Sequence, residues 1–587
     1  MGLLLITKIL GFIKLRIIAQ LFGASHDLDI FWAASTIPDM VFLVIVGGSI
    51  NAAIIPILSD ILYDKGKKKL NELFNKITFL FSAVLIVLTI LLFIFTPQIA
   101  QWLICSNNSE VLLGASSNLV AGDIDKFVSI MRIGLTSPFI LGLSSFVTAY
   151  LQVRKQFFVT SLAPIFHNLG MIIFSVIFVK FFDKGIYGLA WASVIGSFLH
   201  LGIQIPLFIK YYKESGGTPL FKLKGIFKDS AVIKAIKLAT PRILSILGEQ
   251  LNVIVNTIIS FTLTPGTLSA YKFAYSLHMV PVNIIGSAVA QVSLPDLAKA
   301  SKNGDKEKFK KILNNALQFS MYLVLPIVAI IIILRLPIVR LTYGTGEFNW
   351  QDTLLTSMSL VLLSMSIIGQ TIMQIVMRAF YALKDTWKPL IISIIGIAVN
   401  LVSVYFLTNF FSHYYDWRII LEQIFYQISH ANGSGVLPVI QSFFMDLWTW
   451  MTTRGESPLA IGGLAIGVSM TYMVESIVGF IYLNKITSIK LITWKDTLKP
   501  MLTKFVNTLI MGIGMYFVFK IFDLQLDTSR TIWVALLTVA TALYGLISYL
   551  LGSYLFKIKE FESIKNYVIK IFKELIIKLK RKNAKNS

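Results

Sequence analysis

Three cations stand inside the first apolar stretch of the chain. They are Lys8, Lys14 and Arg16, within LLLITKILGFIKLRIIAQLFG at residues 3–23. A stretch of this length can cross a bilayer. A charge at bilayer depth is costly and persists where it faces a wet cavity or a partner. Such cations suit an anionic cargo handled inside the membrane, lysine as a mobile point charge and arginine as a bidentate fork. On a helical wheel Lys14 and Arg16 lie about 200° apart and Lys8 and Arg16 about 80°, so the three cannot share one face of an unbroken helix. Chemistry that makes or breaks bonds finds little support. The only cysteine, Cys105, excludes an intrachain disulfide and a Cys-based metal site. No catalytic residue and no metal ligand set is expected. The connector 210–238 holds only Glu214 and Asp229 as carboxylates, which argues against a membrane glycosyltransferase.

The elements that must position these cations are membrane helices. Of the 587 residues 56% are hydrophobic and 14% charged, against roughly 25% charged in a soluble domain. About 14 apolar spans are expected by length, near 3–23, 30–57, 76–104, 127–151, 157–181, 186–209, 240–263, 268–296, 314–340, 354–382, 388–411, 458–483, 500–522 and 530–556. The first span has no small-residue cleavage site behind it and is read as retained. The net charge of +23 reflects basic connectors, not nucleic acid. One side, including 58–75, 210–238, 297–313, 483–499 and the tail, holds about 37 Lys and Arg against about 7 on the other, which puts it and both termini in the cytoplasm. The tail 557–583 alternates Lys with large apolar residues and reads as an amphipathic helix on anionic lipid. Residues 412–457 form an outer-side insertion, read as an interfacial helical hairpin with Trp417, Trp448 and Trp450 at headgroup level. Asn107-Asn108-Ser109 fits a glycosylation sequon, a pattern too short to carry weight.

Two blocks recur. LDIFWAASTIPDMVFLVIVGGSINAAIIPILSD (28–60) is similar to LSAYKFAYSLHMVPVNIIGSAVAQVSLPDLAKA (268–300), and 149–178 to 379–407. The separation corresponds to six spans, so the halves share one orientation about an axis along the membrane normal, and such halves place a substrate site between them near the midplane. The fold class is therefore an all-α polytopic membrane protein: an N-lobe at 1–212, a cytoplasmic linker at 213–238, a C-lobe at 239–484 carrying the insertion, two extra helices at 485–556 and the basic tail at 557–587.

TKILGFIKLRIIAQLFGASHDLDIFWAASTIPDMVF, GGSINAAIIP, LAPIFHNLGMIIFSVIF, GIYGLAWASVIGSFLHLGIQ and the 268–300 block resemble the MurJ (MviN) family of lipid II flippases, within the multidrug/oligosaccharidyl-lipid/polysaccharide exporter superfamily. The resemblance covers nearly the whole chain except 412–457 and the tail. It implies fourteen helices in two lobes, an inward-open to outward-open cycle and a central cationic cavity for an undecaprenyl-pyrophosphate-linked glycan lipid. It also implies that the last two helices form a groove for the isoprenoid tail. Lys14 falls where the family has an arginine in its GF-x-R-D motif, and Lys8 on another basic position. Both are expected to contact the headgroup, with Arg16 as a third candidate. The family's paired arginines and Glu-Gly of the second helix read Phe42, Leu43, Gly47 and Gly48 here, and its arginine on the eighth helix aligns with Ser276. Lys272, one turn earlier on the same face, supplies charge from a shifted position or snorkels to the surface.

Asp29 matches the family's acidic residue at the outer start of the second helix. Its two readings are a gate and a charge that complements its own helix dipole. Thr240-Pro241 looks like an N-cap and first helical position. Arg242 then meets the headgroup or lies at the interface, and Glu249, nearly on the same face, pairs with a cation or takes part in coupling. Gly47, Gly48, Pro38 and Pro281 are candidate hinges. Arg132, His167, His200, Glu475 and Lys504 read as helix–helix contacts. No cofactor is expected; coupling is to the membrane potential or to a monovalent cation. The expected protein is a monomer. It flips lipid II from the inner to the outer leaflet of the bacterial cytoplasmic membrane. Alternatives are a flippase for another polyprenyl-linked polysaccharide and a cation-coupled multidrug exporter. The exporter would want acidic cavity residues, whereas the charges here lean basic.

Overall fold

The computed structural model describes residues 2–47, 54–105, 122–216, 226, 229–385, 387–413, 422, 425–426, 429–430, 436–455, 457–488 and 490–566. Among these the chain is helical, without a strand. The first nine helices are α1 (Gly2–Phe22), α2 (His26–Phe42), α3 (Ile55–Cys105), α4 (Asp123–Gly134), α5 (Thr136–Val153), α6 (Phe157–Val176), α7 (Gly185–Gly202), α8 (Ile205–Glu214) and α9 (Ser230–Phe261). They are followed by α10 (Thr267–Pro281), α11 (Ser287–Lys302), α12 (Lys306–Ile333), α13 (Arg335–Tyr343), α14 (Trp350–Ala382) and α15 (Trp387–Ser412). The last four are α16 (Val436–Thr452), α17 (Ala460–Thr487), α18 (Lys499–Gln525) and α19 (Thr531–Leu555).

Twelve helical segments among the described residues are long and apolar enough to cross a membrane. The other two expected spans correspond to α1, which has the length but carries three cations, and to α9, of which the described residues give the apolar stretch Ile246–Phe261. Several boundaries differ from those read in the sequence. The span at 127–151 is two helices meeting at Leu135, and 76–104 is the end of the longer α3, whose backbone breaks at Gly66 with φ 78°.

The expected helix start at Thr240-Pro241 is corrected. α9 runs unbroken from Ser230, with Asp229 as its N-cap accepting from the Ala231 amide at 3.1 Å. Thr240 is inside the helix, its hydroxyl donating to the Ile236 carbonyl. The helix starts earlier because its first turns are anchored by packing. Val232, Ala235 and Ala239 are buried against Phe74 and Ile77 of α3 and Phe146 and Tyr150 of α5.

The repeat has a backbone counterpart. α2 passes into a π turn at Leu43–Gly47 and α10 into one at Val282–Gly286, at matching places in the two blocks. A π turn widens the hydrogen-bond ring and shifts the helix face beyond it. Pro38 is buried inside α2 and Pro281 closes α10, so both interruptions follow a proline that removes a ladder donor.

The chain divides into two compact units: Met1–Phe273 with Thr342–Ser359 and Ser393–Gly467, and Ala274–Leu341 with Leu360–Ile392 and Val468–Ser587. In the first, α1 packs on α6 and α6 on α7. The last contact needs small residues, since a Cβ on Gly170 would come within 2.9 Å of the Gly196 Cα. The second unit has one core on α11, α12, α14 and α17, and another where α12, α18 and α19 meet around Tyr322, Met511, Met515, Leu537 and Tyr549. α16 carries exposed Phe444, Met445 and Trp448, as an interfacial helix would. Trp417, Gly48, the sequon and the tail beyond residue 566 lie outside the described residues.

Candidate substrate site

α1 is continuous, so its cations diverge as the wheel requires. Lys14 is half-buried while Lys8 and Arg16 are exposed. The Lys14 face turns toward α6, close enough for its charge to act on His167. It also acts on Asp39, one residue past Pro38 in α2. Lys272 of α10, half-buried, acts on the same carboxylate. Lys14, Asp39 and Lys272 therefore form one electrostatic cluster in the first unit. Among the described residues neither lysine has a carboxylate within 4 Å. Asp39 is exposed although it lies within a spanning helix. Charges at this depth that are neither sealed nor closely paired border space that water or a polar ligand can enter. Lys14 and Lys272 each offer a positive charge to an anion, with the Asp39 carboxylate competing for both.

Asp29 sits elsewhere and does something different. Its carboxylate accepts from the amides of Gly266 and Ser269, each at 2.7 Å, and from the Ser269 hydroxyl at 2.6 Å. It caps the N-terminus of α10 as well as heading its own helix, and it is buried. Gly266 has φ +85°, and a Cβ there would run into the Ala24 carbonyl. Close by, the Glu347 amide donates to the Gln20 carbonyl at 3.1 Å and the Ala24 amide to Asp352 at 3.1 Å. Gly346, also at positive φ, allows this approach. The α1–α2, α9–α10 and α13–α14 turns thus lock together in the first unit, at the end where the sequence analysis puts short, weakly basic connectors.

The side chains of Arg242 and Glu249 lie outside the described residues, so the structure does not place them in the cluster. Gly47 ends the π turn, and a Cβ there would make only ordinary contact with Ile246, leaving room for flexing. Ser276 is half-buried one turn beyond Lys272.

Two charged residues escaped the sequence analysis. Asp39 carried a signal, as a carboxylate directly after a proline in a span with no cation of its own. Arg454 did not. It follows α16 and is largely buried, donating to the Thr262 hydroxyl at 2.9 Å and to Asn409 at 3.3 Å, so it pins the insertion to α15 and the α9–α10 turn. Burial pulls its guanidinium down to about 10, so it stays charged at neutral pH. At the other end of α9, burial raises the Asp229 carboxyl. The opposing Lys76 ammonium at 2.7 Å, the Ala231 amide and the Lys65 charge outweigh this and hold it below the usual carboxylate range.

A family model described as "Lipid II flippase MurJ" matches residues 18–415. The chain belongs to the MurJ family. A probable lipid II flippase MurJ of Buchnera aphidicola subsp. Acyrthosiphon pisum is 31% identical over 409 residues, 70% of this chain and 77% of the relative. The lipid II flippase MurJ of Burkholderia cenocepacia is 24% identical over 70% of this chain and 78% of its own. Among solved structures, a lipid II flippase MurJ in an inward closed conformation superposes with TM-score 0.67 at 20% identity, covering 94% of this chain and 97% of that one. An inward-facing multidrug MATE transporter of the MOP superfamily superposes at 0.60 with 14% identity, covering 82% and 94%. These likenesses establish a multi-pass transporter fold; MurJ is a flippase and not an enzyme. The MurJ match begins just after Arg16 and ends as the insertion begins.

Proposed function

We propose that this MurJ-family protein carries lipid II, an undecaprenyl-pyrophosphate-linked glycan lipid, from the inner to the outer leaflet of the bacterial cytoplasmic membrane by alternating access. The observation that carries the reading is the cluster of Lys14 and Lys272 around Asp39. Two ammonium groups at bilayer depth suit a pyrophosphate, and the family supplies the substrate class. In this reading Lys14 and Lys272 hold the pyrophosphate, Lys8 and Arg242 meet it on the cytoplasmic approach, and Arg16 steers from the opposite face of α1. Asp29 gates the outer end by releasing the α10 N-terminus. Gly47, Gly48, Pro38 and Pro281 absorb the bending as the lobes at 1–212 and 239–484 rock. The helices at 485–556 hold the isoprenoid chain, and the basic tail rests on anionic lipid. Both termini are cytoplasmic and the protein works as a monomer without a cofactor. An inside-negative potential favours outward movement of an anionic headgroup by about 2.3 kcal/mol per charge per 100 mV. That supports coupling to the potential, with Glu249 available for a monovalent cation.

Phe42, Leu43 and Ser276, where the family carries arginines, favour a second reading in which the glycan differs from that of lipid II. The test is rescue of a bacterium depleted of its own lipid II flippase. Wild type is expected to restore growth and Lys8→Ala/Lys14→Ala, at equal expression, to fail. Rescue by the double variant would remove those lysines from the mechanism. Failure of wild type would move the substrate to another polyprenyl-linked glycan.

A further inference from the structure

The second unit contains a basic cleft, lined in part by the start of the tail that the flipping reading rests on anionic lipid, whose specific occupant that reading does not name. It has a volume of about 540 Å³ and lies where the N-terminal parts of α12 and α18 meet the chain leaving α19. Seven lysines line it against three carboxylates. One pair is internal to its floor: Lys504, 1% exposed, bonds Glu560 at 3.0 Å and the Gln318 side-chain oxygen. The other six, Lys310, Lys311, Lys495, Lys499, Lys557 and Lys559, have no carboxylate within 4 Å among the described residues. A concentration of like charge on one cleft destabilises the protein alone and favours an anion in it.

Two further observations point to a ligand. Lys557 adopts φ +52°, the left-handed conformation that ordinarily falls to glycine after a helix. The turn is a helix-ending motif, with the Ile558 amide bonding the Ser553 carbonyl at 3.0 Å and Ile558 buried beneath it. The backbone there asks for glycine, and the chain supplies a lysine whose side chain enters the cleft. In addition, the Asn314 Oδ1 is buried without a donor. Its orientation is fixed because the amide nitrogen donates to the Asp496 carbonyl at 2.9 Å. The cleft thus offers many cations for a phosphate, and at its wall an unpaired amide acceptor on Asn314.

We propose that this cleft binds the headgroup of an anionic glycerophospholipid, phosphatidylglycerol in chemistry, with its phosphate among the lysines and a glycerol hydroxyl on Asn314. A membrane lipid fits better than a soluble phosphate because the cleft opens beside an apolar face. Phe556 lines it, and Leu498, Leu502 and Phe505 of the α18 region are exposed next to it. The cleft lies on the side that the positive-inside rule assigns to the anionic inner leaflet. Lipid occupancy here is separate from the substrate site of the first unit and does not depend on which glycan is flipped.

The test titrates the full-length protein in neutral detergent with dioctanoyl phosphatidylglycerol, dioctanoyl phosphatidylcholine and sn-glycerol 3-phosphate, reading bound adducts by native mass spectrometry. Wild type is expected to retain phosphatidylglycerol over phosphatidylcholine. Lys310→Gln/Lys499→Gln/Lys557→Gly is expected to lose affinity about tenfold or more. Lys557→Gly alone is the sharper arm, because it relaxes the backbone and should melt no lower than wild type while still binding less lipid. Equal retention by wild type and the triple variant would overturn the site. Displacement of the lipid by sn-glycerol 3-phosphate at equal concentration would overturn the lipid and leave a soluble phosphate as the occupant.

Discussion

Lys504 in the second unit and Lys14 and Lys272 in the first are all lysines within predominantly apolar helices, yet they are housed in opposite ways. Lys504 is sealed, bonded to Glu560 at 3.0 Å and to Gln318. Lys14 and Lys272 are half-buried and share Asp39 at longer range. The first arrangement suits structure, since an unpaired sealed charge would be intolerable. The second suits a ligand, since a cation already satisfied at contact distance would have little left to offer one. Hydropathy treats both as the same anomaly; the neighbours separate them.

The largest expected effect breaks this contrast if it fails. Lys504→Met should cost about 3–5 kcal/mol by leaving Glu560 without its partner, with Lys504→Met/Glu560→Met recovering most of the loss. Lys272→Gln should stay within about 1 kcal/mol of wild type. Unfolding in detergent micelles measures both, and equal losses would erase the distinction. A smaller effect sharpens the role of the shared carboxylate. Asp39→Asn should tighten lipid II binding about tenfold by removing the competing charge; weaker binding would mean that Asp39 helps hold the headgroup instead. The smallest concerns a water-facing pair in the first unit. Asp229→Asn should lower stability by about 1 kcal/mol or less at neutral pH. Because the folded carboxyl is held below its usual range, its contribution is full above the unfolded value of about 3.9 and fades as pH falls through the folded one. Melting curves of both proteins should therefore begin to approach one another near pH 4 and converge only as pH falls below the folded value.

Much of the architecture was legible in the sequence. The repeat at 28–60 and 268–300 anticipates two helices that both end in π turns, and Pro38 and Pro281 mark where each is interrupted without dictating the π geometry. The wheel on α1 separated Lys14 from Arg16 correctly because that helix is unbroken. Thr240-Pro241 misled because a local capping pattern yielded to packing and to Asp229 earlier in the chain. Asp29 reads locally as a charge at the start of its own helix, while its bonds reach residues 237 and 240 positions away.

The sequence by itself determined that this is a polytopic membrane transporter with an internal repeat and a MurJ-like body. Span length, apolarity and repeated blocks are properties of contiguous residues and survive without coordinates. Only the tertiary structure decided which charges meet: Lys14 and Lys272 with Asp39, Asp29 with the α10 N-terminus, Lys504 with Glu560. Those meetings join residues distant in the chain. Their strength depends on distance and on the water excluded around them, and neither quantity is written in the order of residues.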